Sequence, residues 1–542
     1  MAEYKEGFIM NRIQLLDCTL RDGGYINDWE FGHDHLISIF ERIVDAGVDI
    51  IEIGFLDERR ITDLDRSIMP GTDPVRQIYG GMDRKNTMVV GMIDYGTCGL
   101  DLIRPAAESW LDGIRVIFKK HLRREAMAYC EALKQKGYCV FAQLVSVTSY
   151  EDEEMLDLIR LANQVRPYAV SMVDTYGLMH QNNLLHYFEL LDAHLDPLIG
   201  IGYHGHNNFQ MGYANAIEFL KRGKTSGRDL VIDGTLYGCG KGAGNAPVEL
   251  LAMHLNAAYG KKYKISQLLE AIDVSIAPLT PQPAWGYDLK HFIAAFNDCH
   301  PNYVSYLLNK RTLSVHSVNE ILQKLEGGQK LLYKEAYIEK LYYEYLAVSV
   351  NDEESIRRLK KKTEGREILL LGPGNSIRLQ KDRIQAFMIE KDPLVISVNF
   401  IPVEPAADCL FLSNAKRYVQ QAAVLSGKRD LEVIATSNVA KTSGDFSYQL
   451  SFPYLLCGEA EFRDNPMLML LKVMIRLKHK RVYMAGFDGY AGAFHTNYVD
   501  QKMEYHYSDL ESQEINRAVS AALRKLRADI ETVFLTDTLY DI

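Results

Sequence analysis

From the N-terminus to about residue 250, short runs of β-branched and apolar residues alternate with longer amphipathic segments. This alternation is typical of strand–helix units in an α/β fold. It predicts eight strands, at Ile13–Asp17, Asp49–Gly54, Thr87–Ile93, Gly113–Phe118, Cys139–Val145, Ala169–Asp174, Ile199–His204 and Leu230–Asp233. Helices are predicted between them, including His35–Ala46, Glu125–Lys136, Glu153–Gln164 and Tyr213–Arg222. Eight units in about 250 residues match a (β/α)8 or TIM barrel, which we favour over a doubly wound open sheet.

The rest of the 542-residue chain is too long to belong to the same core. Helical patterns follow at Ile265–Ile276, Ser317–Leu325 and Lys334–Leu346, and then the charged stretch Arg357–Arg366. Strand patterns resume at Glu367–Leu371, Leu394–Val398, Cys409–Ser413, Glu432–Thr436, Arg481–Ala485 and Thr532–Leu535. We therefore predict a barrel at 1–260, a helical extension and linker at 261–361, and a Rossmann-like open α/β domain at 362–542.

Composition excludes several classes of protein. The longest apolar runs, such as Met467–Leu471, are far shorter than the roughly 20 residues of a membrane span. A net charge of −10 argues against a broad nucleic-acid surface. The eight cysteines form no CxxC pair, and residues 1–8 contain charges of both signs without an apolar segment. We expect reduced thiols, no secretory signal and a cytoplasmic location.

Two strand ends contain residues suited to binding a metal ion. The first strand runs into Arg21-Asp22-Gly23-Gly24, and the seventh runs into His204-Gly205-His206. Active sites of such barrels lie where the strands end, and residues i and i+2 of a strand point to the same side. Asp22, His204 and His206 are therefore the candidate ligands. Oxygen and imidazole ligands without thiolate favour Mn or Mg, although Zn, Co and Fe also fit. The alternative is an ordinary turn beside structural histidines.

A glycine-rich segment, Asp233 to Asn245, follows the eighth strand. Its glycines would let the backbone approach a ligand closely, and Asn245 is placed to reach the metal or the substrate. Phosphate binding by this loop is the alternative. Cys239 lies in the same segment, but no neighbouring base is evident that would make it a nucleophile.

Together these segments resemble the metal-dependent aldolase and lyase barrels, the HMG-CoA lyase-like superfamily. They are most similar to the 4-hydroxy-2-oxovalerate aldolases, over about residues 12–260. The resemblance lies in three motifs, Thr19-Leu20-Arg21-Asp22-Gly23, His204-Gly205-His206-Asn207-Asn208 and Gly242-Ala243-Gly244-Asn245-Ala246-Pro247. It implies that Asp22, His204 and His206 bind a divalent ion, that Asn245 approaches it, and that Arg21 stabilises an enolate. Glu52 and Asp174 match acidic positions at strand ends and are further candidates, or structural carboxylates.

One position departs from the aldolase pattern. Those aldolases have a histidine four residues after the motif arginine, as catalytic base, whereas this chain has Tyr25. An unperturbed tyrosine has a pKa near 10 and is a poor base at neutral pH. Tyr25 would then donate a hydrogen bond, and Tyr287 is a second candidate for proton transfer. The substrate is expected to differ from that of the ordinary aldolase.

The predicted function is that of a carbon–carbon lyase. A 2-oxo acid such as pyruvate would form an enolate, an aldehyde would be the second partner, and we expect a homo-oligomer. Lys119, Lys120 and His121 follow the fourth strand and would hold an acidic substrate group, or are simply solvated. The alternatives are a Claisen-type acyl-CoA condensing enzyme, and a glycosyltransferase-like protein whose barrel is a scaffold.

In the second domain, a glycine-containing loop follows the first strand. It places Gly372, Gly374, Asn375 and Ser376 where backbone N–H groups can meet a phosphate. With Asp488 late in the chain, this pattern faintly resembles the nucleotide-binding domains of sialyltransferase-like and pterin-diphosphokinase-like proteins. The resemblance implies a nucleotide or nucleotide-sugar ligand and a role in making an unusual surface sugar. A merely structural domain is the alternative.

Overall fold

The structure is a computed structural model that contains two compact units. They meet in sequence between Pro301 and Asn302, and the predicted boundaries at 260 and 362 remain predictions. The residues described are 12–280, 285–310, 313–330, 332–347, 349–428, 430–439, 446–457, 464–492, 497–500, 505 and 507–541. No helix among them is long and apolar enough to cross a membrane.

The first unit is a closed barrel of eight parallel strands, as predicted. Its strands are β1 (Ile13–Asp17), β2 (Ile50–Leu56), β3 (Ile68–Met69), β4 (Met88–Asp94), β5 (Gly113–Phe118), β6 (Cys139–Leu144), β7 (Ala169–Asp174), β8 (Gly200–Gly205) and β9 (Leu230–Gly234). The order is β1-β9-β8-β7-β6-β5-β4-β2, and β1 also pairs with β2, which closes the ring. The two-residue strand β3 lies outside the ring, beside β2.

Amphipathic helices surround the barrel. They are α1 (Thr19–Asp22), α2 (His33–Ala46), α3 (Asp73–Tyr79), α4 (Arg123–Gln135), α5 (Asp152–Val165), α6 (Gln181–His194), α7 (Gly212–Ser226), α8 (Val248–Tyr259), α9 (Ile265–Ala271) and α10 (Leu289–Phe296). Helix α2 is an example of this amphipathic pattern. Its apolar residues Leu36, Ile39, Phe40 and Ile43 lie on one face and are buried. Its end is set by Gly47, which adopts the left-handed conformation that stops a helix.

The interior of the barrel changes from apolar to charged towards the ends of the strands. A lower layer consists of apolar residues from different strands, namely Leu16, Ile50, Val90, Phe141, Ala169 and Val231. Two residues further along each strand the side chain again points inward. That next layer is polar and buried, with Glu52, Arg115, Gln143, Ser171 and Asp233. The polar layer is the floor of the candidate site.

The second unit contains an open sheet of seven parallel strands. They are β10 (Ile368–Leu371), β11 (Leu394–Val398), β12 (Cys409–Leu412), β13 (Glu432–Thr436), β14 (Tyr448–Leu450), β15 (Arg481–Ala485) and β16 (Glu531–Phe534). The sheet order is β14-β13-β12-β11-β10-β15-β16. Successive strands therefore extend the sheet in one direction from β10, and β15 then adds on the other side. This reversal makes the edge between β10 and β15 the switch point of the sheet.

The remaining helices are α11 (Pro301–Asn309), α12 (Val315–Leu322), α13 (Glu335–Leu346), α14 (Glu353–Thr363), α15 (Ser376–Leu379), α16 (Lys381–Lys391), α17 (Ala415–Ser426), α18 (Phe452–Leu455), α19 (Pro466–Arg476) and α20 (Asp509–Leu526). Most of the charged stretch predicted as a linker is helical, in α14, where Leu359 is buried. The three-residue strand β14 was not predicted, because so short a run has no measurable alternation.

Candidate metal centre

Arg21 and Asp22 are placed by the turn that follows β1. Asp17, the last residue of the strand, accepts hydrogen bonds from the backbone N–H of Thr19 at 3.0 Å and from its hydroxyl at 2.8 Å. These bonds start the short helix α1, which ends at Asp22. Arg21 and Asp22 are thereby buried at the end of the barrel where the strands end, with exposed fractions of 4% and 0%. The carboxylate of Asp17 is therefore engaged in hydrogen bonds within the turn.

The three predicted ligands converge. Asp22 Oδ2 lies 3.0 Å from His204 Nε2 and 3.6 Å from His206 Nε2, and the two Nε2 atoms are 3.3 Å apart. One ligand atom from each residue fits within 4.8 Å of the others. Neither carboxylate oxygen of Asp22 has a hydrogen-bond partner among the described residues, although both are buried. Buried polar atoms without partners are uncommon, and a cation between these atoms would satisfy them. The residues present therefore fit a divalent ion.

The other nitrogen of each imidazole is held by the protein. His204 Nδ1 lies 3.1 Å from Asp233 Oδ2, and His206 Nδ1 lies 3.2 Å from the backbone oxygen of Lys241. Metal-binding histidines are commonly oriented in this way, with the ring N–H donated to a carboxylate or a carbonyl oxygen. Both Nε2 atoms are left facing Asp22. Cys18 Sγ also lies near His204, at 3.9 Å, but burial raises the pKa of this thiol well above its usual value.

Charge distinguishes the two histidines. Burial opposes ionisation of Asp22, but the charge of Arg21 and the contact with His204 outweigh it and hold the pKa of Asp22 well below its usual range. Burial alone would lower the pKa of His204, yet its contacts with Asp22 and Asp233 raise it. Burial lowers the pKa of His206 to about 3. The neutral His206 ring thus presents a lone pair, as a metal ligand must.

A buried ionic network connects the candidate ligands with the floor of the barrel. Arg21 Nε donates to Glu52 Oε2 at 2.7 Å, and Arg115 Nη1 lies 3.1 Å from the same oxygen. Arg115 Nη2 also donates to Asp233 and to Gln143 Oε1. Glu52 is therefore the group that holds Arg21 in place, and Asp233 connects Arg115 with His204. The network was not predicted, because an arginine within an apolar strand gives no local signal of its partners.

Asn245 lies beside the ligands. Its backbone bridges to His206, and its Nδ2 donates to the oxygen of Cys239 at 3.1 Å. Its Oδ1 is buried and has no hydrogen-bond partner among the described residues. Gly240 has φ +155°, and a Cβ there would lie 2.1 Å from Asn245 Nδ2, so the loop requires glycine at this position. Burial raises the pKa of Cys239 well above its usual value, which does not favour a nucleophile.

Tyr25 lies near Asp22 but is poorly suited to act as a base. Its ring is 44% exposed and stacks edge-on against Trp29, with 4.9 Å between ring centroids. Burial on its inner side, with the charge of Asp22, raises the pKa of Tyr25 to about 12. At neutral pH it is a hydrogen-bond donor. Tyr287 packs against Phe292 with its ring 62% exposed.

Asp174 and Lys120 are engaged in local structure. Asp174 accepts the backbone N–H groups of Leu178 and Met179, at 2.8 and 3.1 Å, and so shapes the loop after β7. Burial raises its pKa to about 6. Lys120 Nζ donates to Glu154 at 2.8 Å. The contacts of Asp174 and of Lys120 are those of residues that stabilise local structure.

Lys241 is a further candidate that sequence reasoning missed. Its Nζ lies 5.5 Å from the ring centroid of Tyr25 and 6.0 Å from that of Tyr176. Burial lowers the pKa of Lys241, and the charge of Asp22 opposes this shift. An ammonium group thus lies beside the candidate metal site, and the only sequence signal for it was its position in the glycine-rich loop.

The predicted phosphate-binding loop of the second unit uses its N–H groups internally. Gly372 and Gly374 donate to the oxygens of Ala485 and Gly486, both at 2.8 Å. Ser376 donates to Asp488, from its N–H at 2.8 Å and from its hydroxyl. Asn375 Oδ1 is buried without a hydrogen-bond partner in the described part of the chain. Asp488 therefore already accepts the hydrogen bonds that Ser376 can donate from its N–H and its hydroxyl.

A closed barrel whose strand ends bring together three potential metal ligands is an arrangement typical of enzymes. Residues 101–274 match the family model described as HMGL-like. The matched segment lies in the barrel unit and includes His204, His206 and Asn245.

Curated relatives match a longer part of the chain than the family model does. An oxaloacetate decarboxylase of Mycobacterium tuberculosis is 26% identical over 324 residues, which are 58% of this chain and 93% of that protein. A 4-hydroxy-2-oxovalerate aldolase of Pseudoalteromonas translucida is 23% identical over 275 residues, or 50% of this chain and 78% of that protein. Among solved structures, an HMG-CoA lyase of Bacillus subtilis has a TM-score of 0.42 at 18% identity, covering 50% of this chain and 94% of that one.

Proposed function

We propose that the chain is a divalent-metal-dependent lyase that cleaves or forms the carbon–carbon bond between the carbons α and β to the carbonyl of a 2-oxo acid. An aldehyde is the second partner in the aldol direction. The supporting observation is the convergence of Asp22, His204 and His206 on one point, with the Arg21 guanidinium beside it. When bound there, a divalent ion supplies Lewis-acid polarisation of the 2-oxo group. Mn or Mg suits the oxygen and imidazole ligands, and Zn or Co also fits.

Arg21 is the residue that stabilises the enolate oxygen. Its Nη1 lies 3.3 Å from Asp22, and its Nε is fixed by Glu52. A guanidinium group that is already held in position needs little reorganisation energy when negative charge develops next to it. Because Glu52 holds only the Nε side in these contacts, the terminal nitrogens of Arg21 are directed to the region of the ligands. Asn245 Oδ1 adds a buried acceptor.

Lys241 binds the carboxylate of the 2-oxo acid in this proposal. Its ammonium group lies between the rings of Tyr25 and Tyr176, next to the ligand set. The two rings shield the ion pair from water, and this strengthens the attraction. Tyr25, with a pKa of about 12, keeps its proton at neutral pH and donates it as a hydrogen bond to an oxygen of the substrate.

The function is tested with purified protein, pyruvate or oxaloacetate, and a set of short aldehydes. We expect turnover that is lost with chelator and restored by Mn²⁺. Asp22→Asn should lose metal and activity together. Arg21→Ala should retain metal and lower kcat by about 10² to 10³, the usual cost of removing one charge-stabilising donor. Full activity in either variant would remove this mechanism.

For the second unit we propose a nucleotide or nucleotide-sugar ligand, and with it a role for the lyase in making an unusual surface sugar. The support is the open parallel sheet with its switch point between β10 and β15, the place where such sheets bind ligands. A homo-oligomer is proposed for the whole chain, and sedimentation at several concentrations tests it.

A further inference from the structure

A cavity of about 550 Å³ opens at the switch point of the second unit's sheet. Its lining includes residues that lie one to three positions after the ends of strands. Gly374 comes after β10, Asn399 after β11, Asn414 after β12 and Asp488 after β15. The volume lies in the range of about 300 to 1,000 Å³ that is usual for small-molecule sites. Size and position both indicate a ligand site.

Tyrosine rings form one wall of the cavity. Tyr490 and Tyr507 meet edge to face with 5.1 Å between their centroids, and Tyr498 and Tyr505 do so at 6.4 Å. Tyr342 also lines the cavity. Planar rings offer a large contact area at small cost in conformational entropy, and they stack on nucleobases. The wall therefore favours a ligand with a flat ring.

A buried guanidinium lies against this wall. Arg417 is 3% exposed, and its charged group lies 4.5 Å from the ring centroid of Tyr505 and 5.6 Å from that of Tyr498. Arg417 lies in the first turn of α17, and its backbone N–H donates to Oδ1 of Asn414, the residue that caps this helix, at 3.1 Å. Lys310 is a second cation of the lining, 5.3 Å from the ring of Tyr342. Arginine in such a setting is suited to a phosphate group.

Two of the cavity's carboxylates are already engaged by the chain. Asp488 accepts from the N–H and the hydroxyl of Ser376. Glu511 forms a capping box with Ser508 at the start of α20. The presence of these two negative groups in the lining limits how much negative charge a ligand can bring. One or two phosphate groups match the two cations better than three.

The lining also contains a residue held in an uncommon backbone conformation. Asn399 has φ +56°, which is unusual for a residue other than glycine. Its Oδ1 accepts from the N–H of Ser413 at 3.0 Å, and its backbone oxygen accepts from Gln421 Nε2 at 2.8 Å. Such strain, held by several bonds, is common at ligand sites.

We propose that this cavity binds a nucleoside mono- or diphosphate group, with the base against the tyrosine wall and phosphate at Arg417. The proposal rests on the proposed nucleotide ligand of the second unit and names its site. It places the phosphate at α17 and Arg417, away from the glycine loop at 372–376, whose N–H groups are used internally.

The test is calorimetric titration of the full chain with CMP, UMP, AMP, GMP and the diphosphates, and with the free nucleosides and inorganic phosphate. At least one nucleotide should bind saturably and more tightly than its nucleoside. Arg417→Met should raise its Kd about 10- to 100-fold, the usual cost of a lost charge-assisted bond. The matched control is Arg383→Met, which removes a surface arginine of α16 that pairs with Asp537 at 3.5 Å. It should leave the Kd unchanged.

Each other outcome overturns a distinct statement. Nucleotide binding that Arg417→Met leaves intact would move the site elsewhere and spare the proposed nucleotide ligand. Binding of nucleosides as tight as that of nucleotides would overturn the phosphate position. If no nucleotide binds, the proposal of a nucleotide ligand for the second unit is wrong. The proposed lyase activity has its own assay and is unaffected by that result. If Arg417→Met fails to fold, Tyr505→Leu serves instead, and it should also raise the Kd at least tenfold.

Discussion

At the residue scale, Asp233 has two tasks. It orients His204 through Nδ1, and it neutralises Arg115, whose side chain is fully buried. A carboxylate behind a metal-binding histidine fixes the ring and raises its basicity. The same carboxylate keeps a buried cation paired, and an unpaired buried charge would be costly. One side chain thus couples the proposed metal site to the stability of the barrel floor.

Asp233→Asn should therefore lower Mn²⁺ affinity about 10- to 100-fold, as is usual when the partner behind a metal ligand is lost. The affinity is measured by titration of the metal-free protein. Asp174→Asn is the matched control, because this buried carboxylate accepts hydrogen bonds from loop N–H groups, at 2.8 and 3.1 Å, and acts on His204 only through its charge. An equal loss of affinity in both variants would show that Asp233 has no specific effect on His204.

Lys241 offers a second prediction at this scale. Lys241→Met keeps the backbone oxygen that orients His206 but removes the ammonium group. We expect KM for the 2-oxo acid to rise about tenfold or more and Mn²⁺ affinity not to fall, since the lost ion pair belongs to the substrate and a neighbouring positive charge has been removed. Lys221→Met, on the exposed face of α7, is the control. Should metal affinity fall in step with KM, Lys241 would act through the ligand set and not on the carboxylate.

At the scale of elements, the end of β1 connects two loops of the barrel. The Thr19 hydroxyl donates to Asp17 at 2.8 Å and accepts from the N–H of Leu236, in the loop after β9, at 2.8 Å. Burial raises the pKa of Asp17 to about 7 in the folded chain. The folded state therefore holds this proton more firmly than the unfolded state, where the pKa is near 4. The contribution of Asp17 to the free energy of unfolding is therefore at its maximum below about pH 4, and it is lost as the pH rises to about 7.

Accordingly, Asp17→Asn should flatten the pH dependence of the barrel's free energy of unfolding between about pH 4 and 7. The wild-type slope from this one group is at most about 1.4 kcal/mol per pH unit. Urea unfolding at a series of pH values measures it, with the exposed substitution Glu364→Gln as control. Identical slopes for Asp17→Asn and the wild type would contradict the burial argument.

The elements themselves were largely predictable. Strands such as Gly113–Phe118 and Ala169–Asp174 have the predicted bounds, because β-branched runs between turn residues are strong local signals. Asp22, His204 and His206 were predictable because each lies at the end of a strand. Their supporting contacts were not: Glu52, Arg115 and Asp233 come from β2, β5 and β9, and only the closed register of the barrel brings them together.

For the molecule as a whole, the two candidate sites lie in different units. The metal ligands belong to the unit that ends at Pro301, and the tyrosine-lined cavity belongs to the unit that begins at Asn302. Each unit also has its own buried apolar core, around the barrel in the first and against the open sheet in the second. A ligand that binds only the folded state raises the free energy of unfolding of the unit that contains its binding site.

Differential scanning calorimetry of the full chain tests this division. Mn²⁺ at about 100 times its Kd should stabilise the barrel transition by about 2.7 kcal/mol and leave the transition of the second unit in place. A bound nucleotide should do the reverse. Asp22→Asn should abolish only the metal shift and Arg417→Met only the nucleotide shift, so each variant is the control for the other. If Mn²⁺ raised both transitions equally in the wild type, stabilisation would not be confined to the unit that holds the ligand, because the free energy of binding would be shared across the chain.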